Sequence, residues 1–257
     1  MNPYIPFPAE IIKINQQTDI DYTFFVKSDL KVRSGQFVQL SIPRVGEAPI
    51  SISDFGDGYI EMTIRKVGKV TDELFEKKPG DFIYLRGPYG NGFRVEDNFG
   101  KDLILVVGGT GLAPVKNLIN YYYNNLDSLS SFRLIVRFKS MNDRLFVPEL
   151  AKWGEKFPVN LTLDRPEEGW FGSTGFVTEH VQKMVIKDIA QTHVIIVGPP
   201  PMMKFTALGF EQIGMPKEQI WMSFERKMSC GLGKCGHCRV DETYVCLEGP
   251  VFRYDKA

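Results

Sequence analysis

The chain of 257 residues is 43% hydrophobic and 24% charged, the balance of a globular protein with one large domain or two ordinary ones. Lys plus Arg and Asp plus Glu both total 31, so the net charge is zero, without the basic excess of a nucleic-acid binder. The longest apolar run, Leu103–Val107, is too short to span a bilayer, and Met1-Asn2-Pro3-Tyr4 carries no secretory pattern, so a cytoplasmic protein away from membranes is expected.

The first segment, residues 1–98, reads as all-β. Strands are expected at Glu10–Ile14, Tyr22–Lys27, Phe37–Ile42, Tyr59–Arg65 and Phe82–Arg86, with one short helix near Asp72–Lys77. Gly35, Gly46, Gly56-Asp57-Gly58 and Pro79-Gly80-Asp81 punctuate the runs as turns, the spacing of a small antiparallel barrel or sandwich. The loop Arg65-Lys66-Val67-Gly68-Lys69-Val70-Thr71 pairs basic side chains with a turn ahead of the helix. Its N–H groups and Thr71 are candidates to hold a phosphate, although the stretch alone reads better as a solvated charged loop.

The second segment, residues 99–220, alternates strand and helix. Leu103–Val107 is a strand apolar on both faces, followed by a glycine-rich turn and a helix through about Tyr123. Phe132–Phe138, Val147–Lys156, Val159–Leu163, Thr178–Val185, Val194–Val197 and Met202–Gln212 continue the alternation, which implies a parallel sheet covered by helices. Gly108-Gly109-Thr110-Gly111-Leu112-Ala113-Pro114 stands between a buried strand and a helix, the context in which backbone N–H groups cradle a dinucleotide pyrophosphate. A tight turn with no ligand is the bland alternative. Val197-Gly198-Pro199-Pro200-Pro201 ends a later strand on the same carboxyl edge.

The third segment, residues 221–257, holds all four cysteines and is too short to bury a core, so a metal centre is its natural staple. Cys230, Cys235, Cys238 and Cys246 form C-x4-C-x2-C-x7-C, the plant-type spacing of a [2Fe–2S] cluster. Structural zinc is the competing reading, but zinc ribbons carry two C-x2-C knuckles and this chain has one. His237, between two of these cysteines, and the isolated His180 and His193 show no catalytic constellation.

Gly87-Pro88-Tyr89-Gly90, Gly109–Pro114 and Gly198–Met202 together resemble the ferredoxin–NADP reductase superfamily. The cysteine motif narrows the resemblance to the branch with dihydroorotate dehydrogenase electron-transfer subunits and soluble-hydrogenase gamma subunits. Gly46–Ser51, Val67–Thr71, Gly233–Arg239, Tyr244–Cys246 and Gly249-Pro250 are most similar to the electron-transfer subunits of anaerobic sulfite reductases. The resemblance implies an FAD-binding barrel, a Rossmann-like NAD domain and a small [2Fe–2S] domain. It implies that Ala48, Pro49, Ile50, Ser51, Thr63, Ile64 and Arg65 line the flavin, with Gly68, Val70 and Thr71 near its pyrophosphate. Gly109, Thr110, Gly111, Leu112 and Ala113 would meet NADH, with Gly198, Pro199 and Pro200 beside the nicotinamide. The four cysteines would hold the cluster. The usual flavin motif is Arg-x-Tyr-Ser, and Ala48 and Ile50 replace its arginine and tyrosine. Arg65 is the candidate for the missing charge. Val197 stands where the superfamily often has a cysteine.

A nicotinamide gives two electrons as hydride and an iron–sulfur cluster takes one at a time, so a flavin belongs between them. The expected path is NADH, FAD, [2Fe–2S], partner protein, with Ser51 as catalytic hydrogen-bond donor near flavin N5. The implied partners are a catalytic sirohaem subunit that reduces sulfite and a further iron–sulfur subunit. The same module in a dihydroorotate dehydrogenase or a hydrogenase is the alternative, and a zinc-stapled nucleotide sensor a remote one. Arg137 or Lys139 suits a 2′-phosphate and Asp143 a ribose hydroxyl, so residues alone leave NADPH open; the resemblance favours NADH.

Overall fold

The computed structural model describes residues 2–256, which form two compact units. One comprises residues 2–93, 113–117 and 224–251; the other comprises 94–112, 118–223 and 252–256. The stretch 224–251, which holds all four cysteines, clusters with the first unit.

The first unit contains β1 (Phe7–Gln16), β2 (Asp21–Lys27), β3 (Phe37–Ile42), β4 (Gly46–Ser51), β5 (Asp54–Gly56), β6 (Tyr59–Arg65), α1 (Lys69–Phe75) and β7 (Phe82–Tyr89). They make a seven-stranded antiparallel sheet in the order β4-β3-β7-β1-β2-β6-β5. Alternate residues of the long strands point to one side, where Ile11, Phe24, Val38, Leu40, Ile60, Met62, Ile83 and Leu85 meet Leu74 of α1 in a single core. Each such fully buried side chain contributes about 1.5–3 kcal/mol.

The helix begins at Lys69, three residues before the sequence reading places it. Thr71 explains the early start. Its hydroxyl accepts from the N–H of Val67 and Gly68 at 2.9 and 3.0 Å and donates to the Gly68 carbonyl at 2.9 Å. These bonds take up donors that a helix N-terminus leaves unpaired.

The second unit is built from β8 (Asp102–Gly108), α2 (Lys116–Asn124), β9 (Ser131–Phe138), α3 (Val147–Gly154), β10 (Val159–Leu163), β11 (Ser173–Thr174), α4 (Val177–Gln182), β12 (Thr192–Val197), α5 (Pro200–Gln212) and β13 (Ile220–Ser223). The C-terminal part of the chain adds β14 (Arg239–Val240), β15 (Thr243–Tyr244), α6 (Val245–Glu248) and β16 (Val251–Arg253). The sheet order is β11-β10-β9-β8-β12-β13-β16, and β8 to β13 with β11 all run parallel. Six of the seven β8 residues are buried, as a strand covered on both faces requires. From β8 the chain winds outward through β9 and β10, then returns to β12 on the other side of β8. That reversal puts a topological switch point between β8 and β12.

Residues 113–117 run from the glycine-rich turn into α2 and cluster with the first unit. Lys116, 5% exposed, explains this: its Nζ lies 2.5 Å from Glu61 Oε2 and 3.8 Å from Asp54 Oδ2. Asn117 adds a bond from its Nδ2 to Asp54 Oδ1 at 2.6 Å. Among the described residues, no helix is long and apolar enough to cross a membrane.

Candidate functional site

The switch point is where an open parallel sheet can admit a ligand. β8 ends at Gly108 and β12 at Val197, so both glycine turns open from neighbouring strands at this point. They touch. A Cβ on Gly111 would lie 2.6 Å from the Val197 carbonyl oxygen and 2.9 Å from Gly198 Cα, so only glycine allows this approach. Gly109 has φ +54° with open space around its Cβ direction, so its backbone faces outward. Gly109, Thr110, Gly198, Pro199 and Pro200 are accessible, whereas Gly111, Leu112 and Ala113 are buried. The latter three shape the turn from its buried side.

Beyond β9, Arg137 is ion-paired with Asp164 and the Ser140 hydroxyl donates to Asp143. The Arg137 charge is therefore already neutralised by a carboxylate, which opposes a 2′-phosphate role.

In the first unit, Ala48, Pro49, Ile50 and Ser51 lie on β4, paired with Leu40, Gln39, Val38 and Phe37. All four are half-buried. The Thr63 hydroxyl exchanges a hydrogen bond with Thr23 Oγ1 at 2.9 Å and donates to Ser53 Oγ at 3.2 Å. Ile64 is a core residue at 3% exposure. The Thr71 hydroxyl bonds within its own loop, to Val67 and Gly68. Val70 packs partly against the core, and Gly68 is exposed. Arg65 grips the fully buried Asp21 through two bonds of 2.8 and 2.9 Å, so its charge is balanced within the protein.

Gln39 of β3 went unnoticed in the sequence. It is fully buried, and neither amide atom has a hydrogen-bond partner among the described residues. Its register partners are Pro49 on β4 and Arg86 on β7, so it shares their face of the sheet. Buried amides are otherwise paired almost without exception, so this one fits a polar group from outside the chain. Of the half-buried β4 residues, Pro49 and Ser51 share its face, whereas Ala48 and Ile50 pair with the core residues Leu40 and Val38.

The four cysteines lie in the first unit, Cys230, Cys235 and Cys238 on one loop and Cys246 in α6. Cys238 and Cys246 are buried, Cys230 is half-buried and Cys235 is exposed. The thiols meet in two pairs, Cys230 with Cys235 and Cys238 with Cys246. Among the described residues, no three metal-binding side chains already converge on one point. Backbone N–H groups are aimed at the sulfurs: Leu232 and Lys234 donate to Cys230 Sγ at 3.3 and 3.4 Å, and Gly233 donates to Cys246 Sγ at 3.1 Å. Gly233 has φ +66°, and a Cβ there would lie 2.2 Å from Leu247, so the wrap needs glycine. Hydrogen bonds from the His237 and Cys230 backbone draw the Cys235 thiol down to about 7, whereas burial pushes Cys246 up to about 12. Four sulfur donors with N–H groups directed at them fit an iron–sulfur centre, whose thiolates are stabilised by such bonds.

Arg86 in β7 and Asn91 just after it carry no functional signal in the sequence, although Tyr89 stands in the Gly87-Pro88-Tyr89-Gly90 motif. Asn91 donates from Nδ2 to the carbonyls of Glu248 and Val251 at 2.6 and 2.9 Å, and its N–H donates to Gly249 at 2.6 Å. The Gly87-Pro88-Tyr89-Gly90 stretch was the available signal, since a strand that ends in Gly-Pro marks a backbone with work other than a simple turn.

Residues 105–207 match the model of the oxidoreductase NAD-binding domain. Residues 225–257 match the iron–sulfur cluster binding domain of dihydroorotate dehydrogenase B. The chain is 35% identical to sulfhydrogenase 1 subunit gamma of Pyrococcus furiosus, over 98% of this chain and 92% of that one. It is 31% identical to a probable dihydroorotate dehydrogenase B (NAD(+)) electron transfer subunit of Methanocaldococcus jannaschii, over 98% and 91%. A solved structure of an NADH-dependent reduced ferredoxin–NADP oxidoreductase, described for flavin-based electron bifurcation, superposes with a TM-score of 0.80 at 29% identity, covering 96% of this chain and 90% of that one. With strands, glycine turns and cysteine loop accounted for along nearly its whole length, the chain belongs to the ferredoxin–NADP reductase-like family, as an oxidoreductase subunit that ends in an iron–sulfur binding domain.

Proposed function

We propose that this protein is the electron-transfer subunit of a multisubunit enzyme of the hydrogenase or dihydroorotate dehydrogenase kind. It takes reducing equivalents from NADH by way of FAD and a [2Fe–2S] cluster and delivers them to a catalytic partner. The observation that carries this reading is the end-to-end likeness to a sulfhydrogenase gamma subunit, 98% of this chain against 92% of that one. The dihydroorotate dehydrogenase relatives come next in support. The sulfite reductase reading, with its sirohaem subunit and a further iron–sulfur subunit, rests on motif resemblance alone and is the weaker.

Bound flavin supplies the exchange between two-electron hydride and single-electron chemistry, and a bound cluster supplies single-electron carriage. This chain's residues supply place and polarity. Gly109 and Thr110 offer backbone and hydroxyl groups to the nucleotide at the switch point, and Gly198-Pro199-Pro200 forms the opposing rim. Ala48, Pro49, Ile50, Ser51, Thr63 and Arg65 flank the flavin, with Gly68 and Val70 toward its phosphates. Ser51 offers a hydroxyl to the flavin ring nitrogen that receives hydride. Cys230, Cys235, Cys238 and Cys246 ligate the iron. Ser51→Ala then slows flavin reduction by NADH in stopped flow while iron content stays at the wild-type level; an unchanged rate removes that role.

Anaerobic co-purification tests the assignment of the partner. Hydrogen-dependent reduction of the complex supports the hydrogenase reading, and dihydroorotate oxidation supports the dehydrogenase one. Sirohaem absorption with sulfite reduction would transfer the protein to the sulfite reductases and overturn both.

A further inference from the structure

Arg86 is 6% exposed, and its guanidinium is fully engaged. Nε donates to Glu47 Oε1 at 2.8 Å and Nη1 to the Tyr89 hydroxyl at 3.0 Å. Nη2 also binds Glu47 Oε2, closing a forked ion pair. The same two amino groups donate to the carbonyl oxygens of Cys230 and Ser229. Glu47 directly precedes Ala48–Ser51 on β4 and accepts from Ser41 Oγ at 2.6 Å. Despite the cost of its burial, the bonds from Arg86 and Ser41 hold its carboxyl below the usual range, so the pair stays charged. One buried cation thus ties the cysteine loop to the strand expected to flank the flavin.

We propose that Arg86 is a positioning residue of the iron–sulfur site. It fixes the backbone of Cys230 and raises the reduction potential of the centre that Cys230 ligates, and Glu47 acts as the opposing charge. The inference rests on the cluster reading above. Reduction adds one electron, and hence one negative charge, to a thiolate-bound centre without making or breaking a bond. A cation hydrogen-bonded to a ligand's own carbonyl favours that added charge, and a carboxylate beside it disfavours it. Both effects are strengthened by burial, where solvent screening is weak.

The two partners therefore act with opposite sign. Arg86→Met leaves Glu47 uncompensated and shifts the oxidation–reduction equilibrium tenfold or more toward the oxidised centre, a fall of about 59 mV for a one-electron couple. Glu47→Gln leaves Arg86 uncompensated and shifts the equilibrium the other way. Arg86→Lys keeps the charge without the fork and recovers most of the potential lost in Arg86→Met. A purely structural role would loosen the loop in both variants and move both potentials in the same direction.

The test is a mediated potentiometric titration of the purified chain, followed by electron paramagnetic resonance, with iron and acid-labile sulfide measured first. Opposite shifts in Arg86→Met and Glu47→Gln support the proposal. Shifts of one sign, or none, overturn it. If Arg86→Met does not load iron, Glu47→Gln decides, and a potential that fails to rise overturns the proposal. Absence of iron and sulfide from the wild-type protein would instead overturn the cluster reading, and this inference with it.

Discussion

Gly111→Ala probes the meeting of the two glycine turns. The added methyl would lie 2.6 Å from the Val197 carbonyl oxygen, 2.8 Å from its carbon and 2.9 Å from Gly198 Cα. All three are backbone atoms, so no side chain can rotate out of the way, and one turn must move. Overpacking of this kind costs about 1–3 kcal/mol. If the displacement falls on the nucleotide turn, NADH binding weakens by roughly 5- to 150-fold, at about 1.4 kcal/mol per decade. Two neighbours serve as controls. At Gly198 the first atom met is the Met202 methyl at 2.8 Å, the end of a flexible chain, and the Gly108 backbone follows at 3.1 and 3.2 Å, farther than the backbone atoms met at Gly111, so Gly198→Ala loses less. At Gly109 there is open space and φ is +54°, so Gly109→Ala meets only left-handed backbone strain of about 1–2 kcal/mol. Calorimetric NADH titration of FAD-loaded protein, with melting curves alongside, ranks the three. A Gly111→Ala protein with wild-type NADH affinity and melting temperature would refute the reasoning.

Lys116→Met removes the cation beside Glu61, whose side chain is 6% exposed, and should lower stability by about 3–5 kcal/mol; a shift below 1 kcal/mol in urea unfolding would contradict the buried ion pair. Gln39→Leu replaces an unpartnered buried amide with an apolar side chain of similar size, so the FAD-free protein should melt at or above the wild-type temperature while FAD binds more weakly; equal FAD affinity would dismiss the amide as a flavin contact. Burial, followed by repulsion from Lys101, lowers the His193 pKa below 6.5. The folded state thus binds that proton less tightly than the unfolded chain. The contribution of His193 to stability is complete above about pH 6.5 and is lost as the pH falls toward the lowered value. An NMR titration with His193 at or above 6.5 would contradict this.

Elements with strong local patterns were legible in the sequence. Leu103–Val107 announced β8 because a strand covered on both faces is apolar throughout, and Val159–Leu163 coincides with β10. Gly46–Ser51 read as a motif and not as a strand because Pro49 cannot donate to a ladder. The structure places β4 at the sheet edge, where proline is tolerated. β13 was missed because four residues carry too little periodicity. The cysteine spacing located the candidate metal ligands, but the clamp around them lay beyond reach. Phe82-Ile83-Tyr84-Leu85 ahead of Arg86 is apolar or aromatic throughout, and nothing in that run marks the arginine as buried and paired. Its partner Cys230 lies 144 residues away, a contact that only the fold creates. Lys116 reads as an ordinary helix lysine for the same reason. Ile64 and Thr71 sit within family motifs, yet packing and capping claim their side chains.

Anaerobic purification followed by a visible spectrum during NADH titration tests the central claim most directly. The account predicts one FAD, two iron and two acid-labile sulfide per chain, and bleaching of both the flavin and the iron–sulfur absorption as NADH is added. Zinc in place of iron, or an iron–sulfur spectrum that NADH leaves unchanged in FAD-loaded protein, would contradict it.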